Sequence, residues 1–469
     1  MSLDLPAHSW QFRLRRIANW LPMGLAYAFL YMGRYNLTVA QKALGGDITK
    51  DDFGQIFAVG AVVYGVSFLV NGPLVDRYGG RRGMLIGVFG AILANLAIGV
   101  LLYSRVYWDW DLPLIPMIML FYACNMYFQS FGAVSIVTVK APWFHVHERG
   151  SFSTIFGIII SAGIYFAFDW GNAVVAATRA EPGELDLVAS VFAAVFGLGE
   201  AGVDQNWMLF FIPSILMGVF WIIMFLWLRN TPGEAGFADF DTAEASLADD
   251  GKRLPVFTAV KKILTHPVLL YVCLIEFCSG VLRNGIMHWY YLFGNEVGFA
   301  KTFPITANWG LALLICGIIG ANATGWVSDK LFNSRRAPMS AVSYALMILG
   351  VVAMSLGLDA NIWIAGLAAL AISTAVIAVH GILSGTATAD FGGSKNTGIA
   401  VGIVDGFVYL GTAVQSLVIG KLVPTGEAAK DPANWLWWPI FLIPFAIAGF
   451  FFTLKIWNAL PTRAKKASH

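Results

Sequence analysis

Two arginines stand out because they lie in stretches where charge is rare. Arg34 and Arg283 each occupy an apolar run that is long enough to cross a membrane. A charged side chain at the centre of a bilayer is unfavourable by about 2.5–3.5 kcal/mol or more. The planar guanidinium group carries its donors in a fork that matches the oxygens of a phosphate. The two residues therefore predict a site for an anion within an apolar protein.

Internal ion pairs are the alternative explanation for these arginines. Arg283 could pair with Glu276 in the same apolar run or with Asp405 in another. Two guanidinium groups that faced each other would repel unless something anionic lay between them. Both interpretations are open from the sequence, and the anion site is the preferred one.

Further polar residues in the apolar runs could serve such a site. His288 could donate to a bound anion or titrate near neutral pH, or it could cap or pack at a helix end. Asp405 could balance Arg283, bind hydroxyl groups or carry a proton. Weaker candidates for a site role, some of which could instead hydrogen-bond between helices, are Glu276, His380, Asn125, Gln129 and Asn284.

The composition is that of a chain whose surface faces lipid. Its 469 residues are 58% hydrophobic and only 12% charged, whereas a soluble protein is roughly 45–50% apolar and about 25% charged. The four cysteines all lie in apolar runs, at spacings that fit neither a metal site nor a disulfide framework. We expect membrane lipid as a partner, and no nucleic acid, metal or cofactor.

Twelve apolar stretches of about 20 residues or more predict an all-α membrane protein of twelve transmembrane helices. The first six stretches lie near residues 17–44, 53–75, 83–104, 112–139, 150–175 and 206–229. The second six lie near 266–293, 304–328, 338–358, 361–388, 396–422 and 434–457.

The two groups of spans predict two six-helix bundles with a polar connection between them. The predicted parts are an N-terminal bundle over 1–229, a cytoplasmic linker over 230–262 and a C-terminal bundle over 263–469. Lys and Arg are concentrated in segments that are cytoplasmic when both termini are inside, and this bias predicts that orientation. The long outer segment 176–205 holds an apolar stretch, 187–199, that is too short to span and predicts an interfacial helix.

A short motif recurs at the same place in the two halves. The first copy runs from Gly72 through Asp76 and Arg77 at the end of the second span. The second copy, with Gly325 and Asp329, ends the eighth span. The glycine predicts a close approach of two helices, and the aspartate could accept hydrogen bonds from a neighbouring helix end.

The paired motif resembles the cytoplasmic loop signature of the major facilitator superfamily. The resemblance implies two bundles related by a pseudo-twofold axis along the membrane normal, a site near the midplane and alternating access. Because Arg34 and Arg283 lie in the first and seventh spans, such an axis would bring both side chains to one cavity. We expect no enzyme, and the sequence contains no phosphate-binding loop of the kind that ATP-driven pumps use.

Several stretches resemble the organophosphate:phosphate antiporter family, which includes carriers of glycerol 3-phosphate and hexose phosphates. These stretches are Tyr27 to Asn36, Phe128-Gln129, Trp143-Phe144, Glu148-Arg149-Gly150, Leu282 to Trp289 and Gly406 to Gly411. In that family two arginines grip the phosphate and tyrosines line the site. The resemblance implies these roles for Arg34, Arg283, Tyr31 and Tyr409. The remaining substrate-binding candidates are Asn36, Asn284, His288 and Gln129.

The sequence departs from that family at positions that carry charge. Tyr35 and Phe68 stand where the family's glycerol phosphate pattern has lysines, and His288 stands where it has an acid. The family's histidine in the fifth span has no counterpart in residues 156–163. These changes make the site less basic and alter its coupling groups.

Three functions remain open on these grounds. The preferred one is exchange of a small organic phosphate for inorganic phosphate by a protein that acts as a monomer in the bacterial inner membrane. A proton-coupled symporter of an organic anion, with Asp405 or His288 as the proton site, is the alternative. A membrane receptor that binds a sugar phosphate without transporting it is the third.

Overall fold

The computed structural model describes residues 8–459 except 109, 146–147, 180–184, 200–202, 243–255, 301, 332–335 and 384–396. All regular structure within these described residues is helical. The helices up to residue 265 are α1 (Trp10–Leu44), α2 (Lys50–Tyr78), α3 (Gly80–Tyr107), α4 (Leu114–Trp143), α5 (Arg149–Tyr165), α6 (Gly171–Arg179), α7 (Leu187–Phe196), α8 (Met208–Trp227) and α9 (Val256–Thr265). The later helices are α10 (Pro267–Glu296), α11 (Pro304–Ala307), α12 (Trp309–Leu331), α13 (Arg336–Gly357), α14 (Ile362–His380), α15 (Thr397–Leu422) and α16 (Trp437–Lys455).

The predicted spans all correspond to helices. Within the described residues, 10 helical stretches are long and apolar enough to cross a membrane. The two other predicted spans, 17–44 and 304–328, fall in α1 and α12. The fifth span is interrupted, because a π-helical turn over Phe166–Trp170 joins α5 to α6. Such local widening is tolerated in a membrane helix when neighbouring groups satisfy the displaced backbone bonds.

The predicted short helix of the long outer segment is α7. It begins where the Asp186 carboxylate accepts a hydrogen bond from the backbone N–H of Ala189, at 2.7 Å. It ends at Gly197, whose φ of 65° lies in the left-handed region that favours glycine. The position of α7 at a membrane interface stays a prediction.

The chain divides into two compact units. One unit comprises Met1–Asn36 and Ser67–Ala248, and the other comprises Leu37–Val66 and Asp249–His469. The boundary between the two units at 248 lies within the predicted linker 230–262, whereas residues 37–66, predicted for the N-terminal bundle, pack within the second unit. The end of α1 and the beginning of α2 therefore belong with α10 and α15 rather than with α3 and α4. The bundle boundaries at 229 and 263 stay predictions.

Glycines permit close packing of α3 on α4 in the first unit. A Cβ at Gly80, Gly83, Gly87 or Gly90 would lie under 3.0 Å from an atom of α4, so only glycine fits these positions. The close approach predicted at Gly72 is wrong for the described part of the chain. No described atom would lie within 4 Å of a Cβ there.

The rest of the repeated motif lies at the surface or beyond what is described. Asp76 and Arg77 are exposed near the end of α2, and no described residue donates the hydrogen bond expected for Asp76. The turn into α3 is held instead by Asn230, whose Oδ1 accepts from the backbone N–H of Arg81 at 2.8 Å. Gly325 and Asp329 belong to α12, and their surroundings lie outside the described residues.

Candidate anion-binding site

Arg34 contacts several uncharged groups within the first unit. Its side chain is fully buried on α1, and its Nε donates to Oε1 of Gln129 on α4 at 2.9 Å. The Tyr122 hydroxyl, also on α4, donates to the Arg34 backbone carbonyl at 3.1 Å. The guanidinium carbon lies 4.7 Å from the centre of the Tyr31 ring, which is within cation–π range. These contacts orient the guanidinium group without cancelling its charge.

A chain of side-chain amides fixes the orientation of Gln129. Its Nε2 donates to Oδ1 of Asn125 at 2.9 Å, so its oxygen is turned towards Arg34. Asn125 in turn donates to the Gly33 carbonyl at 2.9 Å. Asn95 on α3 donates to the same Asn125 oxygen at 3.1 Å. Because each amide has a committed partner, the acceptor presented to Arg34 is preorganised.

Asn36 belongs to this network. Its Nδ2 donates to Asn95 Oδ1 at 3.3 Å and to the Leu209 carbonyl of α8 at 2.9 Å. The side chain is 1% exposed. These contacts favour a role for Asn36 in joining α1, α3 and α8, and its role in binding substrate stays a prediction.

Tyrosines cover one side of Arg34. The rings of Tyr27, Tyr31 and Tyr35 pack edge to face along α1, with centroid separations of 5.4 and 5.6 Å. Tyr35 therefore replaces the lysine expected at this position with an aromatic ring that also lies within 5.9 Å of the Arg34 guanidinium carbon. The side of Arg34 that these rings cover is therefore aromatic and uncharged.

Arg283 lies among ionisable groups in the second unit. It is half-buried on α10 and lies close enough to His288 and His380 to act on their charge. Asp405, half-buried on α15, also acts on His380. Glu276 is fully buried, and its Oε2 lies 3.2 Å from Nδ1 of His380 on α14. Of the internal ion pairs considered from the sequence, Glu276 thus pairs with His380 rather than with Arg283.

His288 has a well-defined packing environment. Its Nδ1 lies 2.7 Å from the Thr38 hydroxyl oxygen, and the imidazole is fully buried. The ring centroids of Phe57 and Phe53 lie 4.5 and 5.9 Å from that of the imidazole. These contacts favour the packing interpretation of His288, and its substrate-binding and coupling roles stay predictions.

Tyr409 and Asn284 also have partners within the second unit. The Tyr409 ring packs on Tyr64 of α2, with a centroid separation of 4.2 Å. Asn284 donates to the Thr412 hydroxyl at 2.7 Å and so joins α10 to α15. The structure thus places Arg34, Tyr31, Gln129 and Asn36 in one unit and Arg283, Asn284, His288, Tyr409 and Asp405 in the other. Convergence of the two arginines on one cavity stays a prediction.

Sequence reasoning missed the residues that support Arg34. Asn95 and Tyr122 are fully buried or nearly so and connect α1 to α3 and α4. Asn95 is a lone amide in an apolar stretch, and that signal could have identified it. Tyr122 acts through its hydroxyl on a backbone carbonyl, and no sequence pattern distinguishes it from other aromatic residues of the spans.

Comparison with known proteins identifies the family. The sequence pattern described as Major Facilitator Superfamily matches residues 23–416. The chain belongs to the Major Facilitator Superfamily. It is accordingly an integral, multi-pass membrane protein, and the expected fold of twelve helices in two bundles is confirmed. Among its described residues, no group of three or more His, Cys, Asp or Glu could hold a metal ion.

Curated relatives within this superfamily have low identity and nearly full coverage. The membrane sensor protein UhpC of Salmonella typhimurium (strain LT2) is 26% identical over 95% of this chain and 91% of its own length. The glycerol-3-phosphate transporter of Bacillus subtilis is 24% identical over 98% and 95%. A probable hexose phosphate transport protein of Chlamydia muridarum is 26% identical over 98% and 94%. These names confirm the resemblance to the organophosphate carriers and their relatives.

Solved structures agree on the fold. A crystal structure of a bacterial homologue of the human lysosomal transporter Spinster superimposes with a TM-score of 0.67. It shares 13% sequence identity and covers 97% of this chain and 98% of its own. The xylose transporter XylE of E. coli gives a TM-score of 0.65 at the same identity, with 96% and 98% coverage. At this identity the likeness establishes the architecture alone.

Proposed function

We propose that this protein is a secondary transporter that moves a small organic phosphate across the membrane by alternating access, in exchange for inorganic phosphate. The observation that carries the proposal is the state of Arg34. Its guanidinium group is fully buried, its Nε donates to the Gln129 amide oxygen, and its carbon lies over the Tyr31 ring. A buried charge held in this way is stabilised when an anion binds beside it.

The second arginine and the relatives support the same function. Arg283 occupies the position in the seventh span that corresponds to Arg34 in the first, and a bidentate arginine suits phosphate oxygens. Two of the relatives are named for transport of glycerol 3-phosphate and hexose phosphates. A phosphate ester is the chemistry common to these names. The arginines recognise the phosphate, and other groups of the protein select the organic part of the substrate.

A membrane sensor is the second candidate, because one relative of almost equal length is named as one. A sensor would bind the same phosphate ester through the same arginines and would signal without moving it. The two candidates therefore differ in flux rather than in binding. Transport is favoured because the other named relatives are transporters.

Counterflow in liposomes tests the proposal. Purified protein is reconstituted with internal phosphate, and uptake of labelled phosphate is measured with glycerol 3-phosphate, hexose phosphates or other phosphate esters as competitors. We expect phosphate exchange that one class of ester inhibits and replaces. Saturable binding of an ester without any exchange would favour the sensor, and neither binding nor exchange would contradict both candidates.

The cellular setting forms part of the proposal. We place the protein in a bacterial inner membrane, as a functional monomer with both termini in the cytoplasm. The distribution of Lys and Arg along the sequence supports the orientation. Cross-linking in native membranes and at reconstitution densities tests the monomer, since exchange activity should not vary with the fraction of cross-linked protein.

A further inference from the structure

The second unit contains a buried pair of titratable groups that the proposed function does not use. Glu276 on α10 is 0% exposed, and its Oε2 lies 3.2 Å from Nδ1 of His380 on α14. Its other oxygen, Oε1, is buried and has no hydrogen-bond partner among the described residues. A permanently ionised buried carboxylate requires donors for both oxygens. Among the described residues, the hydrogen-bond partner of this carboxyl group is His380, which can itself gain or lose a proton.

The surroundings of the pair set its charge. Arg283 on α10 and Asp405 on α15 both act on the charge of His380. The other titratable groups near Glu276 are neutral at physiological pH: the Tyr344 hydroxyl from α13, and the thiol of Cys273 one turn away on α10. With His380 neutral, the charges of Glu276, Asp405 and Arg283 sum to −1. One added proton brings the cluster to zero, which a low-dielectric interior favours.

We propose that Glu276 and His380 form a proton-binding site whose proton is held more tightly when an anion occupies Arg283. This role rests on the proposed function, and it assigns to the pair the coupling of proton binding to anion binding. An anion at Arg283 engages the positive charge that otherwise offsets the two carboxylates. The pair then holds its proton, shared between Oε2 and Nδ1, more tightly, and gives that proton up to water more readily when the anion leaves.

The geometry provides a route for that proton. The His380 side chain is 31% accessible, whereas Glu276 is 0% accessible. His380 is therefore the member of the pair through which a proton would enter or leave, and it can pass that proton to Glu276 across their shared contact. Because linkage is reciprocal, a proton on the pair must strengthen anion binding by the same factor as the anion strengthens proton binding.

This site differs from the two coupling residues expected from the sequence. The His288 imidazole is fully buried, and its Nδ1 has the Thr38 hydroxyl as its neighbour. Asp405 acts on the charge of His380 from α15. The coupling role is thus assigned to a pair that the sequence ranked below both.

Two transport measurements on the same reconstituted protein test the site. The first is exchange of labelled phosphate at equal pH on both sides, which requires no net proton movement. The second is net uptake of labelled phosphate into phosphate-free liposomes with an acidic exterior. The wild-type protein should show both activities. Glu276→Gln and His380→Gln should each keep exchange and lose the uptake driven by the pH gradient.

The controls separate coupling from folding and from the proposed function. Cys273→Ser changes a buried side chain one turn from Glu276 and should keep both activities. Gradient-driven uptake that is absent from the wild-type protein, or that survives both substitutions, would overturn the inference. Loss of exchange in both variants would also overturn it, since the pair would then be structural. Absence of exchange from the wild-type protein would contradict the proposed function itself.

Discussion

At the scale of single residues, the fork of the guanidinium group is the property that distinguishes an anion site from a buried charge. Arg34→Lys and Arg283→Lys retain the charge but lose the paired donors. A hydrogen bond to a charged group contributes about 1.5–3 kcal/mol, so we predict that each substitution weakens transport by roughly tenfold or more. Phosphate exchange in liposomes measures the effect. Arg105→Lys, at an exposed position of α3, is the matched control.

This comparison decides whether the two arginines bind the substrate or support the structure. Near-normal exchange by both lysine variants, at the expression level of the control, would show that Arg34 and Arg283 serve the structure rather than the substrate. A similar loss in Arg105→Lys would show that the assay reports protein quality instead.

The neutrality of the acceptor beside Arg34 supports a second prediction at this scale. Gln129→Glu keeps the size of the side chain but places a carboxylate 2.9 Å from the Arg34 guanidinium group. An internal ion pair would then compete with the bound anion, so we predict a higher KM for exchange. Gln129→Met has a similar volume without the charge and is the control. A KM in Gln129→Glu no higher than in Gln129→Met would show that charge at this position is irrelevant to binding.

At the scale of elements, glycines permit contact between α2 and α15 within the second unit. A Cβ at Gly54 would collide with the Ser416 carbonyl, and a Cβ at Gly65 would lie 3.1 Å from the Gly406 carbonyl. A carrier that alternates between two states must be able to form and separate such contacts. We predict that Gly54→Leu prevents this contact and slows exchange.

The size of this effect follows from overpacking. Added volume in a tight contact costs about 1–3 kcal/mol, which shifts the population of this conformation by roughly tenfold or more. Gly218→Leu on α8, where no described atom lies within 4 Å of a Cβ, is the matched control. Exchange at the wild-type rate by Gly54→Leu, with intact folding, would mean that the contact between α2 and α15 is not part of the transport cycle.

The start of α1 is attached to the loop before α5. The Arg16 guanidinium donates to both oxygens of Glu148, at 2.9 and 3.2 Å. Burial raises the pKa of Glu148, but the hydrogen bonds and charge of Arg16 outweigh burial, so the pKa lies below its ordinary value. A lowered pKa in the folded state means that the pair stabilises the fold above the unfolded pKa of about 4.3. This contribution is lost as the pH falls through the folded value.

We therefore predict a pH-dependent difference between the wild-type protein and Glu148→Gln. In detergent at neutral pH the variant should have the lower melting temperature, because its folded state loses stability on the order of 1 kcal/mol. The two proteins should converge once the pH has fallen below the lowered pKa of Glu148 in the folded state. Glu427→Gln, from an exposed pair with Lys430, should show no difference. A difference for Glu148→Gln that persists in acid would argue against the ion pair as its cause.

At the scale of the whole molecule, the length of the apolar stretches determined which features of the fold the sequence could predict. Twelve apolar stretches sufficed for the fold, since a membrane accepts helices and excludes exposed backbone. The partners of polar side chains could not be derived in the same way. Whether Gln129 faces Arg34, or Glu276 faces His380, depends on the rotation and depth of helices far apart in sequence. The placement of residues 37–66 in the second unit was unpredictable for the same reason.

Orientation in the membrane is the remaining property of the whole molecule that the sequence predicts and that experiment can check directly. The concentration of Lys and Arg places both termini and the 230–262 linker inside, and α7 outside. Leu187 at the start of α7 is 80% exposed, and Phe257 in α9, at the end of that linker, is 82% exposed, so cysteines there should react readily.

Leu187→Cys should be labelled by a membrane-impermeant maleimide in intact cells, whereas Phe257→Cys should be labelled only after the membrane is permeabilised. The wild-type protein reports the reaction of its own cysteines, of which Cys124 is exposed. The reverse pattern would invert the orientation, and with it the side from which Arg34, Arg283 and the Glu276–His380 pair receive their anion and proton. The direction of coupled transport in a cell therefore depends on this result. A site that binds proton and anion together moves the anion away from the acidic side, so the face that meets that side determines whether transport is inward or outward.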